Sequence, residues 1–506
     1  MNEQTPTAAP VTRHPLSNAF LDLHAAHAAV PSYDRTALVP AVVHLGVGGF
    51  HRAHQALYFD ELAERGISTE WGIVGVGFRR RRMKEALAPQ DWLYTVVQRD
   101  AQEVHARVVG AMVDYMFAPD DPEAVLCRLT DPRTRIVTLT VTGGGYEVGP
   151  APAASQAYDG ALAAEARSPS APATVLDYIV EGLRRRRERG HRPFSVLSCD
   201  NVPANGTVAR TAVVSSARLR DPELAGWIDA NVAFPSSVVD RITPQTTPAA
   251  RELVARELGI ADRWPVVTEP FTQWIVEDSF SDGRPPLEEV GVRFVAGVAP
   301  YELAKKRLLN GSHCALGYLG YLAGHRRTDV AISDPLFNAY IATLMDAEIS
   351  PLLGDVPGID LEDYKRTLIE RFANPAIGDR LARLCARGST KMPAYLLPSL
   401  HDAIAAEEPH ELLTLAVAGW FRYLRGVDPG GDAIEIEDEL GERLNCLALE
   451  GGDDPRPLLA ERSVFGELGE APQLVAALGR ALRALRCEGP RATIDACLAS
   501  ELSLVA

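Results

Sequence analysis

Residues 301–313 read Tyr-Glu-Leu-Ala-Lys-Lys-Arg-Leu-Leu-Asn-Gly-Ser-His and gather an acid, two lysines, an amide and an imidazole. At about 100° per residue, Glu302, Lys305, Asn310 and His313 fall on one broad helix face, while Ala304 and Leu308 turn towards packing. Such a set suits alcohol–carbonyl chemistry. A lysine moves a proton, an amide holds an oxyanion, and an acid and a histidine order the rest. Lys306 shares the arc, so helical geometry leaves the choice of lysine open. The same spacing also describes a solvated face with a weak Glu–Lys pair.

Something must position these side chains, and the 506-residue chain is long enough for two or three domains. Hydrophobic residues make up 46% and charged residues 23%, a globular profile. The net charge of -16 argues against nucleic acid or an anionic membrane as a partner, though local basic sites still allow an anionic cofactor. Seven cysteines with no CxxC pair point to a reducing compartment without a disulfide framework. No zinc-type Cys/His cluster occurs, so we expect no metal. No apolar run is long enough to span a membrane, and the Ala/Pro/Thr-rich start does not read as a secretory signal. The expectation is a cytoplasmic enzyme acting on a small molecule, as a monomer or weak homo-oligomer.

Short apolar runs alternate with helical segments in the first half. Strands are expected at Ala41–Gly46, Gly72–Gly77, Arg135–Thr142 and Phe194–Asp200, with helices at Ala56–Leu62, Met83–Leu87 and Ala173–Arg187. This alternation implies a doubly wound parallel α/β sheet. Gly149–Pro172 reads as a Pro-rich surface loop. From Tyr301 onward, Ala/Leu/Arg segments at Tyr301–Ala323, Leu361–Phe372, His410–Leu424 and Pro472–Cys487 imply a mainly helical half. The expected division is a flexible tail over 1–37, a dinucleotide-binding domain over 38–294 and a helical substrate domain over 295–506.

Gly46-Val47-Gly48 follows the first strand and precedes a helix, as in a dinucleotide turn, although Arg52 and Ala53 stand near the place of the usual third glycine. The second strand usually ends in an acid that holds the adenosine ribose. Here Gly77-Phe78 leads into Arg79-Arg80-Arg81-Arg82, which suits a 2′-phosphate and tilts the expectation from NAD towards acceptance of NADP.

Six segments in order resemble the mannitol dehydrogenase family, the zinc-independent long-chain polyol dehydrogenases. They are Gly46–His54, Ser198–Gly206, Phe234–Pro244, Thr268–Trp274, the lysine segment and Ser389–Pro393. The resemblance implies a Rossmann-type N-terminal domain and a largely α-helical C-terminal domain, with the site between them. It also implies hydride transfer between a nicotinamide and a secondary alcohol of an open-chain polyol. By motif position it selects Lys305 as the general base, and Asn201 with Asn310 as the amides that hold the oxyanion. Glu302 matches the acid that exchanges protons with water, and His313 a substrate-hydroxyl contact. Asp240, Arg383 and Lys391 match positions that line the polyol site. Gly46, Gly48, Gly49, Phe50, Arg52, Arg79 and Val239 are expected at the cofactor.

One position departs from the pattern: where the family usually carries a glutamate, this chain has Gly143, followed by Gly144-Gly145-Tyr146. The leading expectation is a D-mannitol/D-fructose enzyme. A fructuronate reductase or a D-arabinitol dehydrogenase is the nearest rival, and a non-catalytic nicotinamide sensor the remote one.

Overall fold

The computed structural model describes residues 13–141, 143–146 and 172–505. The Pro-rich stretch expected as a loop therefore lies, but for its last residue, outside the described residues. Contacts divide the chain into two compact units, Met1–Val298 and Ala299–Ala506.

The first unit is built on five parallel strands: β1 (Val42–Leu45), β2 (Ile73–Gly77), β3 (Met112–Phe117), β4 (Ile136–Leu139) and β5 (Ser195–Ser198). Their spatial order is β3-β2-β1-β4-β5. Side chains alternate between two cores. Val42, Ile73 and Ile136 join one cluster, while Val43, Val137 and Val196 join the other. With apolar cores on both sides, the strands read as unbroken apolar runs rather than alternating ones. The direction of winding reverses at β1 and β4, so the crevice at their C-terminal ends is where this topology places ligands.

Two smaller sheets went unread in the sequence. One joins Val266–Thr268, Tyr94–Arg99 and Val104–Val109, and the other joins Arg293–Val295, Gln273–Glu277 and Ser237–Asp240. Residues 13–37, the described part of the expected tail, pack against the rest of the first unit. His14–Pro15 pairs with Ile260–Ala261, Leu16 is buried, and Arg35 donates to Gly110 O and Met112 O, each at 3.0 Å. The anchors are single apolar and arginine side chains whose partners lie far away in sequence, so local composition does not show them.

The second unit is helical around one large core. Helix Gly311–Leu322 packs against Glu411–Tyr423, which packs in turn against Pro472–Cys487. Gly419 makes the first contact close: a Cβ there would stand 2.7 Å from Leu319 Cδ2. The segment expected as a single helix from Tyr301 is instead three pieces. They are an α-helix over Ala299–Ala304, a π-helix over Lys305–Asn310 and an α-helix over Gly311–Leu322.

Candidate active site

In the first unit, the turn after β1 is set by sterics. Gly46 has φ +99°, and a Cβ would lie 2.4 Å from Thr140 O. Gly48 caps the short helix Gly49–Ala53, and a Cβ there would meet nothing nearer than Gly46 O at 3.8 Å. A backbone that demands glycine on its inner side and leaves its outer side open fits the approach of a pyrophosphate. His54 breaks the helix, and a second one runs over Gln55–Glu64. Phe50 stacks on His54 with ring centroids 4.9 Å apart.

Arg52, expected at the cofactor, is buried and lies over the Tyr94 ring, 5.2 Å from its centroid. Its guanidinium donates to Gly48 O at 3.3 Å and to Trp264 O. These carbonyls satisfy the cation inside the protein, which makes Arg52 a strut under the turn. Arg79 and Arg80 are exposed just past β2, whereas Arg81 pairs with Asp120 at 2.6 Å.

At the end of β5, Asp200 is buried and fully engaged. It accepts from Val141 N at 3.0 Å and from the Tyr146 hydroxyl at 2.7 Å, and that hydroxyl also lies 2.6 Å from Ser198 Oγ. Tyr146 closes the short 3₁₀ turn Gly143–Tyr146, so the turn that lacks the family glutamate is tied to Asp200 by a phenol. Burial first, and Asp200 second, raise the Tyr146 pKa. Asn201, the next residue, is exposed.

Asn205 is buried and was missed by the sequence reading. Its amide donates to Asp200 O at 3.0 Å and Ser237 O at 2.8 Å, and accepts from Ser237 N at 2.9 Å. It thus fixes the start of Ser237–Asp240, which holds the buried Val239 and Asp240. Gly206 follows because a Cβ would lie 2.4 Å from Phe234 O. The signal was present in Asn205-Gly206, a pair that had been taken only as part of a motif. Arg241 is buried and donates to Glu269 O at 2.8 Å and Ala53 O at 2.7 Å. It is a strut that ties this strand end to two distant backbone segments.

In the second unit, the π-helix narrows the broad face on which an α-helix would place these residues. Lys305 and Asn310 would diverge by about 140° in α-helical register. Hydrogen bonding from i to i+5 lowers the rotation per residue, so residues five apart diverge less than in an α-helix, and Gly311 N reaches back to Lys306 O in that pattern. Lys305 is buried, 7% exposed. Lys306 is half-buried and ion-paired with Glu302. The two lysines are therefore distinguished by burial and partner, which helical periodicity left open. The Asn310 Nδ2 is buried with no hydrogen-bond partner among the described residues. A buried donor left unmet costs free energy, so it points to a ligand acceptor. His313 lies against Phe372 with ring centroids 4.4 Å apart.

Arg383 and Lys391 depart from a simple polyol-lining role. Arg383 is exposed and held by Asp379, its Nε 2.6 Å from Oδ1. The Lys391 ammonium donates to Arg383 O at 2.8 Å and Leu384 O at 3.1 Å. Burial lowers its pKa. Among the described residues, no group of three or more His, Cys, Asp or Glu side chains is placed to hold a metal, and no helix is long and apolar enough to cross a membrane.

A parallel sheet wound in this order, with a glycine turn at its switch point, defines a Rossmann-type dinucleotide-binding unit. The chain belongs to the mannitol dehydrogenase family. The model described as the mannitol dehydrogenase Rossmann domain matches residues 40–289, and that of the mannitol dehydrogenase C-terminal domain matches 297–486. A mannitol 2-dehydrogenase of Phaeosphaeria nodorum is 45% identical over 471 residues, 92% of this chain and 82% of that protein. The structure of Pseudomonas fluorescens mannitol 2-dehydrogenase, a ternary complex with NAD and D-mannitol, is similar at a TM-score of 0.82 and 41% identity, covering 96% of this chain and 99% of that one. A D-sorbitol dehydrogenase in substrate-free form is similar at a TM-score of 0.85 and 35% identity, covering 96% and 100%.

Proposed function

We propose that this chain is a nicotinamide-dependent polyol dehydrogenase that interconverts D-mannitol and D-fructose. The observation that carries the reading is the π-turn joining a buried lysine to an unmet amide donor five residues on. When bound, the nicotinamide accepts the hydride from the carbinol carbon. The amine of Lys305, in its neutral form, takes the hydroxyl proton. Asn201 and Asn310 donate to the developing alkoxide oxygen, which stabilises charge at the moment it forms. Glu302 exchanges the proton with water, and its ion pair keeps Lys306 out of the base's role. His313 and Asp240 orient substrate hydroxyls, while Gly46, Gly48, Gly49, Phe50 and Val239 shape the cofactor site.

The uronate branch draws less support. Arg383 is already ion-paired with Asp379, which offsets its charge, and two of the three Lys391 ammonium protons go to carbonyls, so both are less available to a substrate carboxylate. The exposed Arg79 and Arg80, with no acid after β2, support acceptance of NADP alongside NAD.

Nicotinamide absorbance with D-fructose, D-fructuronate and pentuloses, each against NADH and NADPH, tests the reading. Turnover of fructose is expected, and turnover of fructuronate alone would overturn the assignment. In the same assay, Arg79→Gln with Arg80→Gln should raise KM for NADPH severalfold more than for NADH. Equal changes would reduce both arginines to surface charge.

A further inference from the structure

His44 sits in the middle of the parallel sheet, two residues before the glycine of the turn, and is fully buried. Its Nδ1 lies 2.8 Å from Thr138 Oγ1 and its Nε2 lies 2.8 Å from Thr140 Oγ1. The Thr140 hydroxyl donates to Gly46 O at 2.8 Å. That donation uses its only proton, so Thr140 Oγ1 accepts from His44 Nε2–H, and Nδ1 in turn accepts from Thr138. The bonds thus fix one neutral tautomer and run in one direction, from Thr138 through the imidazole and Thr140 to the Gly46 carbonyl.

The face of the same ring carries a second one. His51, from the helix that follows the turn, stacks on His44 with centroids 3.4 Å apart and planes 11° from parallel. His51 is 1% exposed, and neither of its ring nitrogens has a hydrogen-bond partner among the described residues. The stack, with the Gln55 side chain beside His51, joins the strand before the turn to the helix after it.

We propose that the His44–His51 stack, tied through Thr140 to the Gly46 carbonyl, is the positioning device of the dinucleotide turn, and that the turn holds its cofactor only while both rings are uncharged. The proposal rests on the cofactor reading above. The groups facing the pair explain the charge condition. His51 faces His44, Arg52 and His54, all cationic when protonated. The strands on either side offer His44 only Gly75 and Thr138 in register, neither of which can compensate a charge. Burial holds His44 down to about 3 and His51 well below its ordinary value. A proton therefore enters only when the stack parts. Below about pH 6.5, each ring favours the parted turn by up to about tenfold per pH unit.

NADH binding, followed by quenching of protein fluorescence from about pH 8 to pH 5, tests this in three folded proteins. The wild type should bind at pH 8 and weaken steeply as pH falls. Thr140→Val removes only the hydroxyl link, and should weaken NADH about tenfold at pH 8, raising KM for the cofactor while kcat at saturation stays within about twofold. His51→Phe keeps an aromatic ring on His44 but cannot take a proton. It should bind NADH near the wild-type affinity at pH 8 and lose less affinity on acidification. If both variants match the wild type in affinity and pH profile, the positioning role is wrong. If the wild type binds neither NADH nor NADPH at any pH, the cofactor reading fails first.

Discussion

Asn310 offers the sharpest test at the scale of a single side chain. Its buried amide donor has no partner among the described residues, an arrangement that weakens a folded protein unless a ligand supplies the acceptor. Asn310→Ala should therefore lower kcat by about 10²- to 10³-fold, the usual cost of one oxyanion donor. The thermal midpoint should stay the same or rise. A large fall in midpoint with kcat preserved would recast Asn310 as a packing residue. The residue types in this segment were legible in the sequence, although their spacing alone also fits a solvated face, and the family resemblance selected the chemical reading. Which lysine mattered was not legible from periodicity, since burial and ion pairing distinguish Lys305 from Lys306. The carbonyl partner of Arg52 at Trp264 was not legible either, because folding brings it into reach from elsewhere in the chain.

Among the elements, the π-helix over Lys305–Asn310 has a counterpart at Leu344–Ile349. This second one places Glu348 in the core, where its carboxylate accepts from Leu412 N and Leu413 N, each at 2.7 Å. Helix Glu411–Tyr423 has no side-chain cap from its own His410, so Glu348 caps it from afar and sets a negative charge at its N-terminus. Glu348→Ala should destabilise the helical unit by about 3 kcal/mol, read by denaturant unfolding. A loss near zero would show that water replaces the carboxylate without cost. The strands β1, β2, β4 and β5 were legible as apolar runs, as were the long helices Leu361–Phe372 and Pro472–Cys487. The π-turns were hidden because π and α segments share the same residue preferences. The two smaller sheets were hidden because their pairings, such as Val266 with Val96, join segments remote in sequence.

For the molecule as a whole, the sequence showed a strand–helix alternation followed by a helical half, and the fold follows that reading with the family models matching both halves. The sequence could not show which buried polar groups serve catalysis and which serve as struts. Asp200, Asn205, Arg241 and Glu348 are satisfied by backbone groups, and only the folded structure separates them from Asn310. The central claim is that this chain moves a proton with Lys305 while its first unit binds the nicotinamide. The most direct measurement is Lys305→Ala, assayed for D-fructose reduction and, in the same preparation, for NADH binding. Turnover should fall by at least about 10³-fold with NADH affinity within about twofold of the wild type. Near-full turnover in that variant would contradict the claim.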